Sequence, residues 1–306
     1  MDKLAAMAML VKVIEQGSFS AASKAMDIPL ATLSRKVAEL EKQLGVSLLK
    51  RTTRALTLTH AGEGYLAAAK RILEQVAEAE QHALGEYQTP KGELVITAPV
   101  MFGRLHVLPV VSEFLAAYPD INIKLNLSDR NLHLLDEHID MAVRIGALPD
   151  SSLYATAVGT IRTVTCASPQ LLSQYVQPVS PADLPHLPCI TIKSAMPTPH
   201  WQYQHPETQK TITPVITSRL EVTNGECALQ AAIDGVGVTQ QLHYQVYAAL
   251  QSSALTLILP EYEPAPVPIH LVHGEKRIMP LKMRCFLDFA VPRIRESVGA
   301  LSDAKI

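Results

Sequence analysis

The sequence predicts two parts of unlike class: an N-terminal all-α winged helix-turn-helix extended by a long linker helix, and a C-terminal two-lobed α/β domain. Three observations predict it. Residues 17–59, GSFSAASKAMDIPLATLSRKVAELEKQLGVSLLKRTTRALTLT, read as two short helices about a turn, followed by a basic wing. From His60 a run of good helix formers carries one narrow apolar seam. Beyond Lys91 short β-branched runs alternate with helical stretches.

Within residues 2–16, Leu4, Met7, Leu10, Val11 and Ile14 fall at helical spacing and would cover the two helices that follow. Ser18 suits the N-cap of a short helix ending at Met26. Asp27 tolerates the irregular backbone of a turn, and Pro29 suits a first helical position. In the next helix Leu33, Val37, Leu40 and Leu44 form the buried stripe. Its polar face shows Thr32, Ser34, Arg35, Lys36 and Glu39, with Leu30 and Ala31 at the exposed N-terminal end, the end that a recognition helix turns toward base edges. Arg35, Lys36, Lys42, Lys50, Arg51 and Arg54 stand against only Glu39 and Glu41, while the whole chain has a formal charge of −2. That local patch is suited to a phosphate backbone; by charge alone it equally describes a solvated face.

The order SFSAAS, IPLATLSRKVAELEKQLG, LLKRTTRALTLTHAG resembles the N-terminal region of LysR-type transcriptional regulators, without a gap over roughly the first 65 residues. The resemblance implies DNA contact at Ser34, Arg35, Arg51 and Arg54, the last two in the wing. With Ser18, Leu30, Ala31, Thr32, Lys36 and Thr53 these make up the expected DNA-binding set. One departure stands out: many members have Gln and Ser where this chain has Leu30 and Ala31. Polar base readout at the helix tip is thereby reduced, and apolar contact with a thymine methyl is the available substitute.

Thr59 suits the N-cap of the long helix, expected from residue 60 to about 87, with Leu66, Ala69, Leu73, Val76 and Ala83 along its seam. A helix this long needs a partner. Either the seam packs on its own domain or, as the resemblance implies, it pairs with a second subunit and sets two recognition helices on successive turns of a duplex. Thr89, Pro90, Lys91 and Gly92 then break the helix.

The runs LVITA, INIKLNL, DMAVRI, VTCA, CITI, LEVT, VGVT, LTLIL and IHLV read as strands. Helical stretches are expected at 104–118, 131–138, 168–175, 224–234 and 281–297, and this alternation predicts parallel sheets covered on both faces. The expected division is 1–59, 60–88 and 89–306. Lobe I is set at about 91–160 and 267–306, and lobe II at about 161–266. The return of the chain to lobe I is what the resemblance implies, through the family's periplasmic-binding-protein-like effector domain.

In open α/β sheets a ligand sits beyond the carboxyl ends of strands, near helix N-termini. The junctions there are Pro99 with Val100, Met101, Phe102 and Gly103; Ser128 with Asp129; Gly146 after Arg144; Lys193 with Ser194; Thr223; and Gln240 with Gln241. From these the expected effector site comprises Val100, Met101, Phe102, Ser128, Arg144, Gly146, Lys193, Thr223 and Gln240, suited to a small organic anion. Arg144 either meets that anion or pairs with Asp140 or Asp150. Arg104 reads as structural or solvent-facing, and Met101 and Phe102 also suit a plug between the lobes.

Other function classes find little support. No nucleophile-elbow, P-loop or dinucleotide motif is present, and Gly235-Val236-Gly237 precedes a strand rather than following one, so an enzyme is not expected and no cofactor is implied. Cys166, Cys189, Cys227 and Cys285 form no CxxC pair, and His186 with Cys189, or His200 with His205, lacks the second pair of a metal site. Cys227, early in a helix, is either a small packed residue or a redox sensor in a ligand-independent regulator. No signal peptide is evident and no span approaches bilayer length, so the expectation is a soluble cytoplasmic protein away from membranes. The expected partners are double-stranded DNA, a small-molecule effector and further copies of the chain, as a homodimer through the linker helix and a homotetramer, with RNA polymerase as a further candidate.

Overall fold

The computed structural model describes residues 2–51, 56–83, 89–130, 132–134, 137–148, 153–193, 201–274 and 279–303. Thr53, Arg54, Asn131, Asp150, Ser194, His200 and the linker end at 84–88 lie outside the described residues, as does the side chain of Arg51. The chain divides into two compact units, 1–89 and 90–306.

In the first unit α1 (Lys3–Glu15), α2 (Phe19–Met26) and α3 (Leu30–Leu44) close on one cluster containing Leu10, Val13, Ala22, Leu33, Val37, Leu40 and Leu48. On α1 the buried face is Ala6, Met9, Leu10 and Val13, and Leu4 is exposed. The helix is apolar nearly all round, so spacing alone did not determine which stripe turns inward. Leu44 is likewise exposed, one turn past the end of the cluster. Ser18 caps α2 by accepting from Ala21 N at 3.1 Å, and Asp27 turns the chain in the left-handed region at φ 53. Pro29 stands one place earlier than expected, as the residue before α3, where its fixed φ still suits helix entry.

Strands β1 (Leu49–Arg51) and β2 (Leu56–Leu58) pair antiparallel as the wing. Glu41 on α3 accepts from Leu48 N at 2.8 Å and Leu49 N at 3.0 Å, which fixes the wing against that helix. Thr59 caps α4 (His60–Ala83) through Gly62 N and donates to Ser47 O at 2.7 Å. A Cβ on Gly62 would overlap the Leu48 carbonyl, so only glycine lets α4 start this close to the wing. Along α4 Ala69 is buried, while Leu66, Leu73 and Val76 stay half-exposed in the single chain.

The second unit contains two five-stranded sheets. The lobe I sheet runs in the order β4 (Ile121–Leu127), β3 (Gly92–Ala98), β5 (Met141–Ile145), β14 (Val267–His273), β6 (Tyr154–Ile161). The lobe II sheet runs β11 (Ser218–Val222), β8 (Cys189–Ile192), β12 (Val238–Leu242), β7 (Thr163–Ala167), β13 (Thr256–Ile258). Both are mixed rather than parallel. The chain leaves lobe I through β6 and β7 and returns through β13 and β14, so β14 lies antiparallel to β5 and β6, and β7 to β12 and β13.

Lobe I buries its sheet under α10 (Leu281–Asp303) and a continuous helix at 100–117. That helix comprises α5 (Val100–Phe102), a wider π-type stretch (Gly103–Val107) and α6 (Leu108–Ala117). At 18 residues and a mean hydropathy of 1.4 it is long and apolar enough to cross a membrane, contrary to the sequence expectation. Here Phe102, Val107, Val110, Val111 and Phe114 are spent on the lobe I core. Among the described residues of the expected helix at 131–138 none is helical: they include a turn closed by Ile139 N to Leu134 O, with His138 at φ 54. Asn, Asp and His are weak helix formers, and Asp140 is drawn to the sheet instead, bonding Val95 N at 2.8 Å.

In lobe II, α7 (Pro169–Leu172) is shorter than expected, and a small hairpin, β9 (Tyr203–Gln204) with β10 (Thr211–Ile212), was not anticipated. Helix α8 (Gly225–Ile233) lies where expected, but α9 (His243–Gln251) and strand β6 went unread. Gln245 accepting from Leu242 N, with Val246, Ala249 and Leu250 buried behind it, is the helical signal that was there to find.

Candidate functional site

On the first unit α3 presents its N-terminal end to solvent. Leu30 is 46% exposed, Ala31 is exposed, and Thr32 and Ser34 are half-buried. Ser23 holds the turn beneath them, donating from Oγ to Ile28 O at 2.6 Å. Arg35 and Lys36 both lean on Glu39, at 3.4 and 3.5 Å, and exposed pairs of this kind are weak enough to be traded for phosphates. Ser18 is also exposed, and its side chain is committed to the cap of α2.

In the second unit the lobes meet where the carboxyl ends of their strands give way to helices. Val100 N donates to Asp129 Oδ1 at 3.0 Å, so the N-terminus of the lobe I helix already holds a protein carboxylate. Ser128 is turned locally: its N–H bonds Ala98 O at 2.9 Å and its Oγ accepts from Arg130 N. Met101 and Phe102 are buried, and Phe102 meets Tyr244 of α9 edge-on at 5.4 Å. His106 lies 4.8 Å from Phe102 and 5.6 Å from Tyr244, its Nδ1 on Ser297 Oγ at 2.8 Å and its Nε2 buried with no partner among the described residues. These rings form an apolar bearing between the lobes. Burial lowers the His106 pKa to about 4; burial, then the Asp129 charge, raises that of Tyr244.

At the edge of this bearing Arg104 Nη2 reaches Glu226 Oε1 across the lobes at 3.3 Å, both side chains more than half exposed. Glu226 stands in the first turn of α8, where Asn224 caps Cys227 N at 2.8 Å and Gln241 Nε2 donates to Gly225 O at 3.0 Å. The Gln241 Oε1 atom is buried without a partner among the described residues.

The remaining expected positions lie on or at the ends of other strands and make local bonds of their own. Arg144 donates to Leu132 O at 2.8 Å and is held below its usual pKa by burial; it anchors the loop after β4. Gly146 follows on the same strand end at φ 107, its N–H on Pro268 O. Lys193 and Thr223 end adjacent parallel strands, both exposed, with Lys193 3.8 Å from Glu221. Gln240 faces the hairpin, donating to Gln202 O at 3.1 Å, whereas its neighbour Gln241 faces α8, as strand alternation requires. Cys227 is exposed at the start of α8. Sequence reasoning missed Tyr244 because α9 itself was unread; Arg104 faces solvent as expected, and its partner, 122 positions away, was not legible.

The two crossovers between lobes are clasped. Arg162, between β6 and β7, donates from Nε and Nη2 to both oxygens of Glu263 on the return path, at 2.8 and 2.7 Å. That bidentate bond raises the Arg162 pKa, and the Arg162 carbonyl accepts from His243 N at 2.9 Å. Among the described residues no group of three or more His, Cys, Asp or Glu could hold a metal ion.

Residues 4–63 match the model of the bacterial regulatory helix-turn-helix protein, lysR family, and residues 87–295 match the LysR substrate binding domain. The chain belongs to the LysR family. This LysR-type regulator is 32% identical over 297 residues to an HTH-type transcriptional repressor of Pseudomonas aeruginosa, covering 97% of this chain and 94% of that one. It is 35% identical over 292 residues to an HTH-type transcriptional regulator of Xanthomonas campestris, covering 93% and 83%. The full-length structure of AphB, a virulence activator of Vibrio cholerae, is similar at a TM-score of 0.61 and 29% identity, covering 94% and 98%. The LysR-type regulator is thus a DNA-binding transcription factor with an effector-binding domain, not an enzyme.

Proposed function

We propose that a small organic anion, taken up between the lobes, controls the DNA binding or promoter activity of this regulator. The cross-lobe pair of Arg104 with Glu226 carries the reading. A guanidinium held by an exposed carboxylate at 3.3 Å is a cation with a displaceable partner, and an effector carboxylate that replaces Glu226 gains a bidentate bond. Displacing Glu226 alters the contact between lobes and so favours one closure, by no more than the anion's differential affinity for the two closures. Val100, Ser128, Gly146, Lys193 and Thr223 would ring the ligand; Met101, Phe102, Arg144 and Gln240 would support the walls.

In this reading DNA is met by Arg35, Lys36, Arg51 and Arg54 on phosphates, with Ser34 and Thr32 nearer the bases. The half-exposed seam of α4 pairs with a second copy, giving a dimer that reads a two-fold site in the cytoplasm and assembles further into a tetramer, with RNA polymerase as a downstream partner. The exposed position of Cys227 supports a second reading, control by thiol oxidation. A thermal-shift series with aliphatic and aromatic carboxylates tests the first. Wild type gains several degrees from at least one acid and Arg104→Gln gains none; an equal gain in both removes Arg104 from the site. A response to peroxide that Cys227→Ser abolishes, with no response to any acid, selects the second reading.

A further inference from the structure

The first turn of α3 is unusual for a helix that reads DNA in what it offers a base edge. Leu30 is 46% exposed and Ala31 is exposed, and neither has a hydrogen-bonding side chain. Behind them Thr32 and Ser34 are half-buried, and Arg35 and Lys36 are engaged with Glu39. The outermost atoms of the tip are therefore hydrocarbon. Leu33, Val37 and Leu40, each fully buried, supply the core face of α3, and Leu30 lies outside that cluster. Its backbone is held from below, since Pro29 O accepts from Thr32 N and Leu33 N, at 2.9 and 3.1 Å, and the Ser23–Ile28 bond fixes the turn. With the backbone already fixed, docking Leu30 orders only its own side chain.

The major groove displays one apolar group that distinguishes bases, the C5-methyl of thymine; adenine and guanine show only polar atoms at that edge. We infer that Leu30, flanked by Ala31, selects thymine by packing on this methyl group and is the residue through which this regulator specifies sequence at the tip of α3. The inference rests on DNA binding through the helix-turn-helix and adds to it the base that is read. Discrimination comes from burying a single methyl group, so the expected preference is about fourfold per contact. Arg35 and the wing add affinity without that preference.

The test uses the full chain and a duplex it selects from a random pool. Each thymine of that duplex is replaced in turn by uracil, which keeps every hydrogen-bonding group and removes only the methyl. At one thymine in each half-site, uracil weakens wild-type binding about fourfold. Leu30→Ala binds the thymine and uracil duplexes equally, while Arg35→Ala weakens both and keeps the difference between them. Leu30→Gln moves the selected base toward adenine, the partner of a glutamine amide. Because Leu30 and Arg35 are both exposed, all three variants should melt with wild type, and that melt is measured alongside. Uracil without effect at every position, or a thymine preference that survives in Leu30→Ala, overturns the inference while leaving DNA binding intact. A chain that enriches no duplex overturns the DNA-reading assignment along with it.

Discussion

His106 shows how much a single buried group contributes to the lobe junction. The residue is 8% exposed, its ring wedged between Phe102 and Tyr244, with one nitrogen on Ser297 and the other without a partner among the described residues. Burial lowers its pKa from 6.5 to about 4, so the folded chain holds it neutral where the unfolded chain would protonate it. Between those values the unfolded state binds the extra proton, and the contribution of His106 to stability therefore falls as pH drops from 6.5 toward 4 and is flat above. The loss approaches about 3 kcal/mol at the lower limit. Urea midpoints of wild type and His106→Gln, taken at pH 7 and pH 5, check this: the variant should show a shallower fall, and parallel curves would remove His106 as the cause. His243, also held low by burial and then by Arg162, contributes a remaining slope of the same sign.

Among the elements, those set by neighbours in sequence were legible and those set by distant neighbours were not. Ser18, Asp27, Thr59 and Asn224 announce helix ends because a cap is made within three or four residues. The turn residues described before Asp140 were misread as a helix because the segment is tied down by Asp140 reaching Val95, 45 positions away. The mixed sheets follow from the path of the chain between lobes, which no local pattern records. For the same reason the tip residues Leu30 and Ala31 could be located from spacing, whereas the link between Arg104 and Glu226 needed the fold. The clasp of Arg162 with Glu263 belongs to this scale, since it ties the only described return path to the outgoing one. Removing either partner strands the other. Arg162→Ala and Glu263→Gln should each cost about 1–2 kcal/mol, and the double variant clearly less than their sum. Additive losses in urea unfolding would show that the two side chains act independently.

At the scale of the molecule, a DNA-reading unit and a ligand-binding unit are joined through α4, and regulation requires that the state of one be felt by the other. Thermodynamic linkage makes that requirement quantitative: if an anion changes DNA affinity by some factor, DNA changes anion affinity by the same factor. The most direct measurement is therefore a fluorescence-anisotropy titration of the selected duplex with the full chain, run with and without a saturating concentration of the carboxylate that stabilises it most, in wild type and in Arg104→Gln. A coupled regulator shows a wild-type Kd that shifts by about 5- to 150-fold, an anion affinity that shifts equally when duplex is added, and no shift in Arg104→Gln. A wild-type Kd that is the same with and without the anion would contradict control through the lobes.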